Sequence, residues 1–301
     1  MNSTKNMMTS LFSKALTSLP EQPSSAKSLG RVLLVASSTN TLQLKNYRVV
    51  PTGYSLEDLT VPVQQFIEAG YEVVIATPDG KKPVILAHAK DSRFDNDPEA
   101  LQHAIAFLDS YPSMQNPKTL KAVLSEGLDR YIGVYVPGGY APMNDLMQDP
   151  DLGQILRYFH KTSKPSAFLC HGSVATLAAL PNATAYRKAL VDGDREAAKA
   201  AAADWQYAGY RMTSFSNEEE YPIEREILDG QVPFYVADAL ASAGGRVEHG
   251  SSDQSFVVQD RELISGQNLA SDRAIAQEFV EALDEARVIP IWVRKHFLGK
   301  A

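Results

Sequence analysis

The stretch Lys164-Pro-Ser-Ala-Phe-Leu-Cys-His-Gly-Ser-Val-Ala-Thr-Leu-Ala-Ala-Leu180 decides how the chain is read. Ala167-Phe168-Leu169, bounded by Pro165, is an apolar run with the length of a buried strand. From about Ser173 to Leu180 the residues are small or aliphatic and predict a helix. Between the two sits Cys170, the one cysteine of the chain, followed by His171 and Gly172. So few residues between a strand and a helix require a tight turn, which projects the thiol from the carboxyl edge of a sheet. This is the arrangement of a nucleophile elbow, with cysteine in the place of serine. The amides and partial charge of the helix start are expected to lower the thiol pKa. Neighbouring side chains at an elbow are expected to point apart, so His171 would act from the side or on a bound substrate.

The same grammar continues outward. Arg31 to Ser37 is an apolar run of strand length. Leu56 to Ala69 has helical periodicity, with Leu56, Leu59, Val63, Phe66 and Ile67 on one face and Gly70 closing it. Glu72 to Ala76 is the next strand, so the three form a parallel βαβ unit. Tyr131 to Val136 is a strand that ends in Pro137-Gly138-Gly139-Tyr140. Helices are expected over 98–111, 120–128, 151–161, 234–243 and from Ser271 or Asp272 to about Ala286, with short strands at 246–248, 256–258 and 263–268. Residues 181–211 read as an insertion carrying a helix from Arg195 to Ala203. Strands alternating with helices predict an α/β fold, a mostly parallel sheet with helices on both faces in three layers. Sites of such sheets lie beyond the carboxyl ends of the strands, where Cys170, Gly138-Gly139 and Thr52-Gly53 can converge.

Composition sets outer limits. A net charge of −7 over 301 residues argues against a nucleic-acid footprint and against attraction to anionic membranes. One cysteine cannot make an internal disulfide, which suits a reducing, cytoplasmic setting. No apolar run is long enough to span a membrane. Residues 1–30 read as an extension, 31–290 as one α/β domain with an insertion at about 182–210, and 291–301 as a tail. The role of 192–205 has no chemical reading. His88, Asp91, Asp95 and Asp97 lie in a polar excursion without ligand spacing, so no metal site is expected.

A cysteine nucleophile needs a base and a place for negative charge. Gly138-Gly139 and the His171 amide can supply oxyanion donors. The imidazole needs a carboxylate partner, for which the acidic run Glu218–Glu220 holds candidates, while Asp58, in the first turn of a helix near the sheet edge, could face the thiol.

Three segments, Ala167-Phe-Leu-Cys-His-Gly172, Val136-Pro-Gly-Gly-Tyr140 with Asp145-Leu146, and Leu56-Glu-Asp-Leu-Thr-Val-Pro62, resemble the signatures of the PfpI superfamily. This is the class I glutamine amidotransferase-like group that includes the Parkinson-disease protein deglycase. Gly209 to Glu220, Val232-Pro-Phe234 and Leu263 to Ser271 extend the likeness to its heat-shock branch of glutathione-independent glyoxalases and holding chaperones. The resemblance implies a flavodoxin-like sandwich, usually a homodimer, without a cofactor. It implies Cys170 as nucleophile, His171 as its histidine and Glu220 as triad acid, with Glu219 the alternative one position away. Asp58 stands where the family has a glutamate that hydrogen-bonds the thiol, and Tyr140 where it often has histidine. Gly138, Gly139, Tyr140 and Glu219 would line the oxyanion and substrate side. The implied activity converts small α-oxoaldehydes such as methylglyoxal to 2-hydroxy acids, or is a related deglycation or hydrolysis. The rival readings are a holding chaperone or redox sensor using Cys170 as an oxidisable thiol, and an amidase or peptidase.

Overall fold

The computed structural model describes residues 28–86 and 98–288. The expected extension up to residue 27, the polar residues His88, Asp91, Asp95 and Asp97, and the tail 291–301 lie outside the described residues.

Seven strands form the central sheet: β1 (Arg31–Val35), β4 (Glu72–Thr77), β5 (Lys118–Thr119), β6 (Tyr131–Val136), β7 (Ser166–Leu169), β10 (Val257–Asp260) and β11 (Leu263–Gly266). Their order is β10-β11-β7-β6-β1-β4-β5, and every neighbouring pair is parallel except β10 with β11. The apolar runs follow from burial on both faces. Along β1, Leu33 and Val35 face one layer while Val32 and Leu34 face the other. A strand covered on both sides therefore reads as continuous Val and Leu rather than as an alternation.

Helices supply both covers. On one side Leu152, Ile155, Leu156 and Phe159 of the helix Pro150–Lys161 pack with Val134, Val136 and Phe168. On the other, the helices Leu56–Glu68 and Asp272–Val288 bring Phe66 and Phe279 together at 5.2 Å, and Phe66 meets Tyr135 of β6 at 5.4 Å. Fully burying each such ring contributes roughly 1.5–3 kcal/mol. At Gly133 of β6 a Cβ would come within 2.5 Å of the Leu283 side-chain tip and 2.8 Å of the Phe279 ring edge, so the last helix packs closely over that glycine.

Several elements depart from the sequence-based expectation. Residues 41–51 contain a hairpin, β2 (Thr41–Gln43) against β3 (Val49–Pro51). Its strands are only three residues each, too short to show a pattern. The insertion holds two helices, Ala183–Asp192 and Arg195–Ala201. Gly193, at φ +72°, ends the first, and the Asp194 carboxylate accepts from the Ala197 amide to start the second. Tyr186, Ala189, Ala198 and Ala201 of these helices are buried in the core. Arg211–Met212 (β8) and Arg246–Val247 (β9) pair with each other in parallel, apart from the main sheet.

Candidate active site

β7 ends at Leu169 in extended conformation, and the next residue, Cys170, has φ +57°. A non-glycine residue in this left-handed region costs about 1–2 kcal/mol, and such strain concentrates where a side chain must be presented. The elbow has no room for side chains around it. A Cβ at Gly172 would lie 2.4 Å from the Pro137 carbonyl oxygen. From Cys170 to Ala179 the chain winds as a tight 3-10 helix, starting three residues earlier than the predicted one and buried throughout.

The left-handed turn also corrects the expectation that Cys170 and His171 diverge. Cys170 Sγ lies 3.3 Å from His171 Nδ1. The far nitrogen, Nε2, is 2.6 Å from Glu220 Oε2. Glu220 Oε1 accepts from the Tyr140 hydroxyl at 2.5 Å. The imidazole is held between two rings, Tyr140 at 4.3 Å and Phe215 at 4.5 Å between centroids. With the Tyr140 hydroxyl donating to Oε1, Oε2 accepts the hydrogen bond of Nε2–H, which leaves the Nδ1 lone pair facing the sulfur.

Glu220 and Glu219 have separate tasks. Both lie on the helix Asn217–Ile223, whose N-cap Ser216 forms a capping box with Glu219. Glu219 also accepts from Gln267, Asn268 and the Asp253 amide. Burial raises its pKa, but the bonds from Ser216, Asn268, Asp253 and Gln267 prevail and hold it below the usual carboxylate range. Its oxygens are thus spent on holding the helix that aims Glu220, rather than on lining a substrate side. Tyr140, likewise expected on the substrate side, turns its hydroxyl to Glu220.

Asp58 reaches the thiol from the opposite layer. It sits in the first turn of the helix Leu56–Glu68 and is fully buried. Pro62, four residues on, has no N–H to donate to the Asp58 carbonyl. The Tyr135 hydroxyl makes that bond instead, at 2.6 Å. A Cβ at Gly138 would fall 2.1 Å from Asp58 Oδ2 and 2.7 Å from Cys170 Cβ, so the missing side chain is what lets carboxyl and thiol share one space. Gly139 has φ +101° and packs against the backbone of Gly53 and Tyr54. Thr52-Gly53 and Gly138-Gly139 therefore do meet at this sheet edge.

The thiol pKa moves opposite to the sequence-based expectation. Burial pushes it well up, and the Asp58 charge pushes in the same direction, as do Glu219 and Glu220. Only the His171 amide, donating to the sulfur, pulls it down. One backbone donor does not offset desolvation and three acids. A raised pKa means the thiol holds its proton, and His171 Nδ1 is the basic nitrogen beside it, 3.3 Å from the sulfur. Asp58→Asn removes the nearest like charge. The pH at which Cys170 is half-maximally alkylated by iodoacetamide is then expected to fall by about one unit. An unchanged or raised midpoint would show that Asp58 does not bear on the thiol.

Among the described residues no group of three or more His, Cys, Asp and Glu side chains is placed to hold a metal ion, and no helix is long and apolar enough to cross a membrane. Sequence reasoning missed Phe215, which has no local signal. It also missed what separates Glu219 from Glu220, although the Ser216-x-x-Glu219 spacing of a capping box was available.

The model of the DJ-1/PfpI family matches residues 47–204. The chain belongs to that family. The matched span contains Asp58, Gly138 to Tyr140, Cys170 and His171, while Glu220 lies beyond it. Protein/nucleic acid deglycase HchA of Staphylococcus aureus (strain MSSA476) is 26% identical over 252 residues, covering 80% of this chain and 76% of the relative. Among solved structures, Francisella tularensis Rapid Encystment Protein 24 KDa superposes with a TM-score of 0.65 at 22% identity, over 85% of this chain and 99% of that one. Glyoxalase III from Candida albicans superposes with a TM-score of 0.59 at 15% identity, over 84% of this chain and 97% of that one. The DJ-1/PfpI fold, a flavodoxin-like sandwich, is the architecture described above.

Proposed function

We propose that this DJ-1/PfpI protein is a cysteine-dependent, glutathione-independent glyoxalase-type enzyme acting on small α-oxoaldehydes. The observation that carries the reading is a strained, buried Cys170 whose sulfur is 3.3 Å from an imidazole backed by Glu220 at 2.6 Å. The names of its relatives, a deglycase and a glyoxalase III, point to the same chemistry.

On methylglyoxal, Cys170 Sγ bonds to the aldehyde carbon while its proton passes to His171 Nδ1 and on to the aldehyde oxygen, giving a hemithioacetal. His171, or Asp58 beside the thiol, then removes the proton from that carbon and returns it to the ketone carbon through an enediol. The first carbon is oxidised as the second is reduced, so no outside redox partner is required. Water cleaves the resulting thioester to lactate and restores the thiol. The His171 amide, already directed at the sulfur, and those of the Gly138-Gly139 turn are the candidate donors to the developing oxyanion.

Cys170 and His171 are each only 3% exposed, which suits a two- or three-carbon substrate better than a peptide. A buried thiol with a raised pKa also counts against a redox sensor. The charges bearing on the thiol are acidic, which favours a neutral substrate. The test is lactate formation from methylglyoxal by purified protein without glutathione, with 4,5-dioxopentanoate, an α-oxoaldehyde that carries a carboxylate, alongside. Lactate is expected, and turnover of the charged oxoaldehyde to its 2-hydroxy acid at least roughly tenfold slower because its carboxylate meets like charge. Absence of lactate sinks the assignment; equal use of the charged oxoaldehyde sinks the charge argument.

A further inference from the structure

We infer that Tyr140 is a positioning residue which, through its hydroxyl on Glu220 Oε1 and its ring on His171, holds the Glu220 carboxylate on Nε2 and the Nδ1 lone pair of His171 on the thiol. The inference rests on Cys170 being the nucleophile of the proposed reaction. Its geometry is a continuous line of four side chains. Cys170 Sγ meets His171 Nδ1, His171 Nε2 meets Glu220 Oε2, and Glu220 Oε1 meets the Tyr140 hydroxyl. Tyr140 then folds back so that its ring lies 4.3 Å from the imidazole whose partner it holds.

Three facts make this more than packing. Glu220 and Tyr140 are 3% and 5% exposed, so water does not stand in for a lost partner. The two carboxylate oxygens have different partners, and the Tyr140 bond occupies the oxygen His171 does not use. Burial first, and then the Glu220 charge, push the Tyr140 pKa well up, so the hydroxyl stays a donor at every working pH. A buried carboxylate that loses one of two donors holds its proton more tightly. A protonated Glu220 no longer stabilises imidazolium, and the thiol then gives up its proton less readily. The other titratable groups whose fields reach this line are Glu219, Glu224, Tyr235 and Tyr135, with Asp58 beside the thiol.

The test is the pH profile of Cys170 alkylation by iodoacetamide in the full-length wild type, Tyr140→Phe and Tyr140→His, with folding checked by circular dichroism melts. Alkylation needs the thiol and its base but no oxoaldehyde chemistry. A wild type that alkylates normally yet makes no lactate therefore overturns the reaction and leaves the role of Tyr140 to this profile. In Tyr140→Phe the acid limb is expected to move up by about one unit, a roughly tenfold slower rate below the limb and little change above it. Tyr140→His, which keeps a ring N–H for Glu220, is expected to recover part of that shift. Should Tyr140→Phe not fold, 3-fluorotyrosine at position 140, a stronger donor, is expected to move the limb downward. Superimposable profiles, an equal loss at every pH, or a histidine variant no better than phenylalanine would each overturn the inference.

Discussion

Replacing Cys170 with alanine is expected to reduce lactate formation from methylglyoxal at least 1000-fold, to the background rate, while leaving the melting temperature within a few degrees of wild type. Every step proposed for the site passes through the sulfur, so no partial activity remains once the hemithioacetal cannot form. The His171–Glu220 pair, its two flanking rings and the amides of the elbow stay in place, which makes the loss a chemical one. Cysteine and alanine carry the same left-handed strain at φ +57°, so the exchange does not release it. The buried thiol contributes modest packing and no cross-link. The measurement is lactate release and consumption of aldehyde side by side, with a melt on the same preparation. Substantial turnover in a well-folded alanine variant would place the chemistry on another residue.

The second large effect is on stability. Gly139→Ala is expected to destabilise the protein by about 4 kcal/mol, seen as a fall in Tm of roughly 10 °C, and to abolish activity with it. Two independent costs combine there. The residue has φ +101°, where a side chain is strained whatever the space. A Cβ would also lie 2.3 Å from the Gly53 carbonyl oxygen and 2.7 Å from Tyr54 Cα, backbone atoms that cannot rotate away. Relief requires the whole Pro137–Tyr140 turn to shift, and Tyr140 would carry its contacts to His171 and Glu220 away with it. Gly193→Ala provides the contrast. That glycine has φ +72° but nothing within 4 Å of the added Cβ, so only the conformational cost of about 1 kcal/mol applies. Equal melts for the two variants would mean that close approach is not what Gly139 supplies.

Much of the site was legible in the chain because it is local. The elbow is a strand, a cysteine and a helix within one stretch, and Gly138-Gly139 follows a strand whose ends, Tyr131 and Val136, match the reading residue for residue. Parallel strands buried on both faces must be uninterrupted apolar runs, and few other structures produce such runs between helices. Asp58 was legible as a first-turn acid. Elements outside the double-sided core were less legible. The strands of the β2–β3 hairpin are three residues long, too short to show a period, and the helix Ala183–Asp192 has a mixed composition that periodicity does not isolate.

Sequence alone determined the layer order of the fold and the presentation of Cys170 at a sheet edge, because both follow from short-range patterns of apolar runs and turns. Tertiary structure decided what that cysteine meets. Tyr140 and Glu220 stand 80 positions apart and touch only because the helix Asn217–Ile223 packs over the Pro-Gly-Gly turn. Phe215 stacks on His171 for the same reason. The direction of the thiol pKa was also a tertiary outcome. The helix-start amide that would lower it is a local feature, whereas burial and the carboxylates of Asp58, Glu219 and Glu220 come from three-dimensional packing, and they prevail.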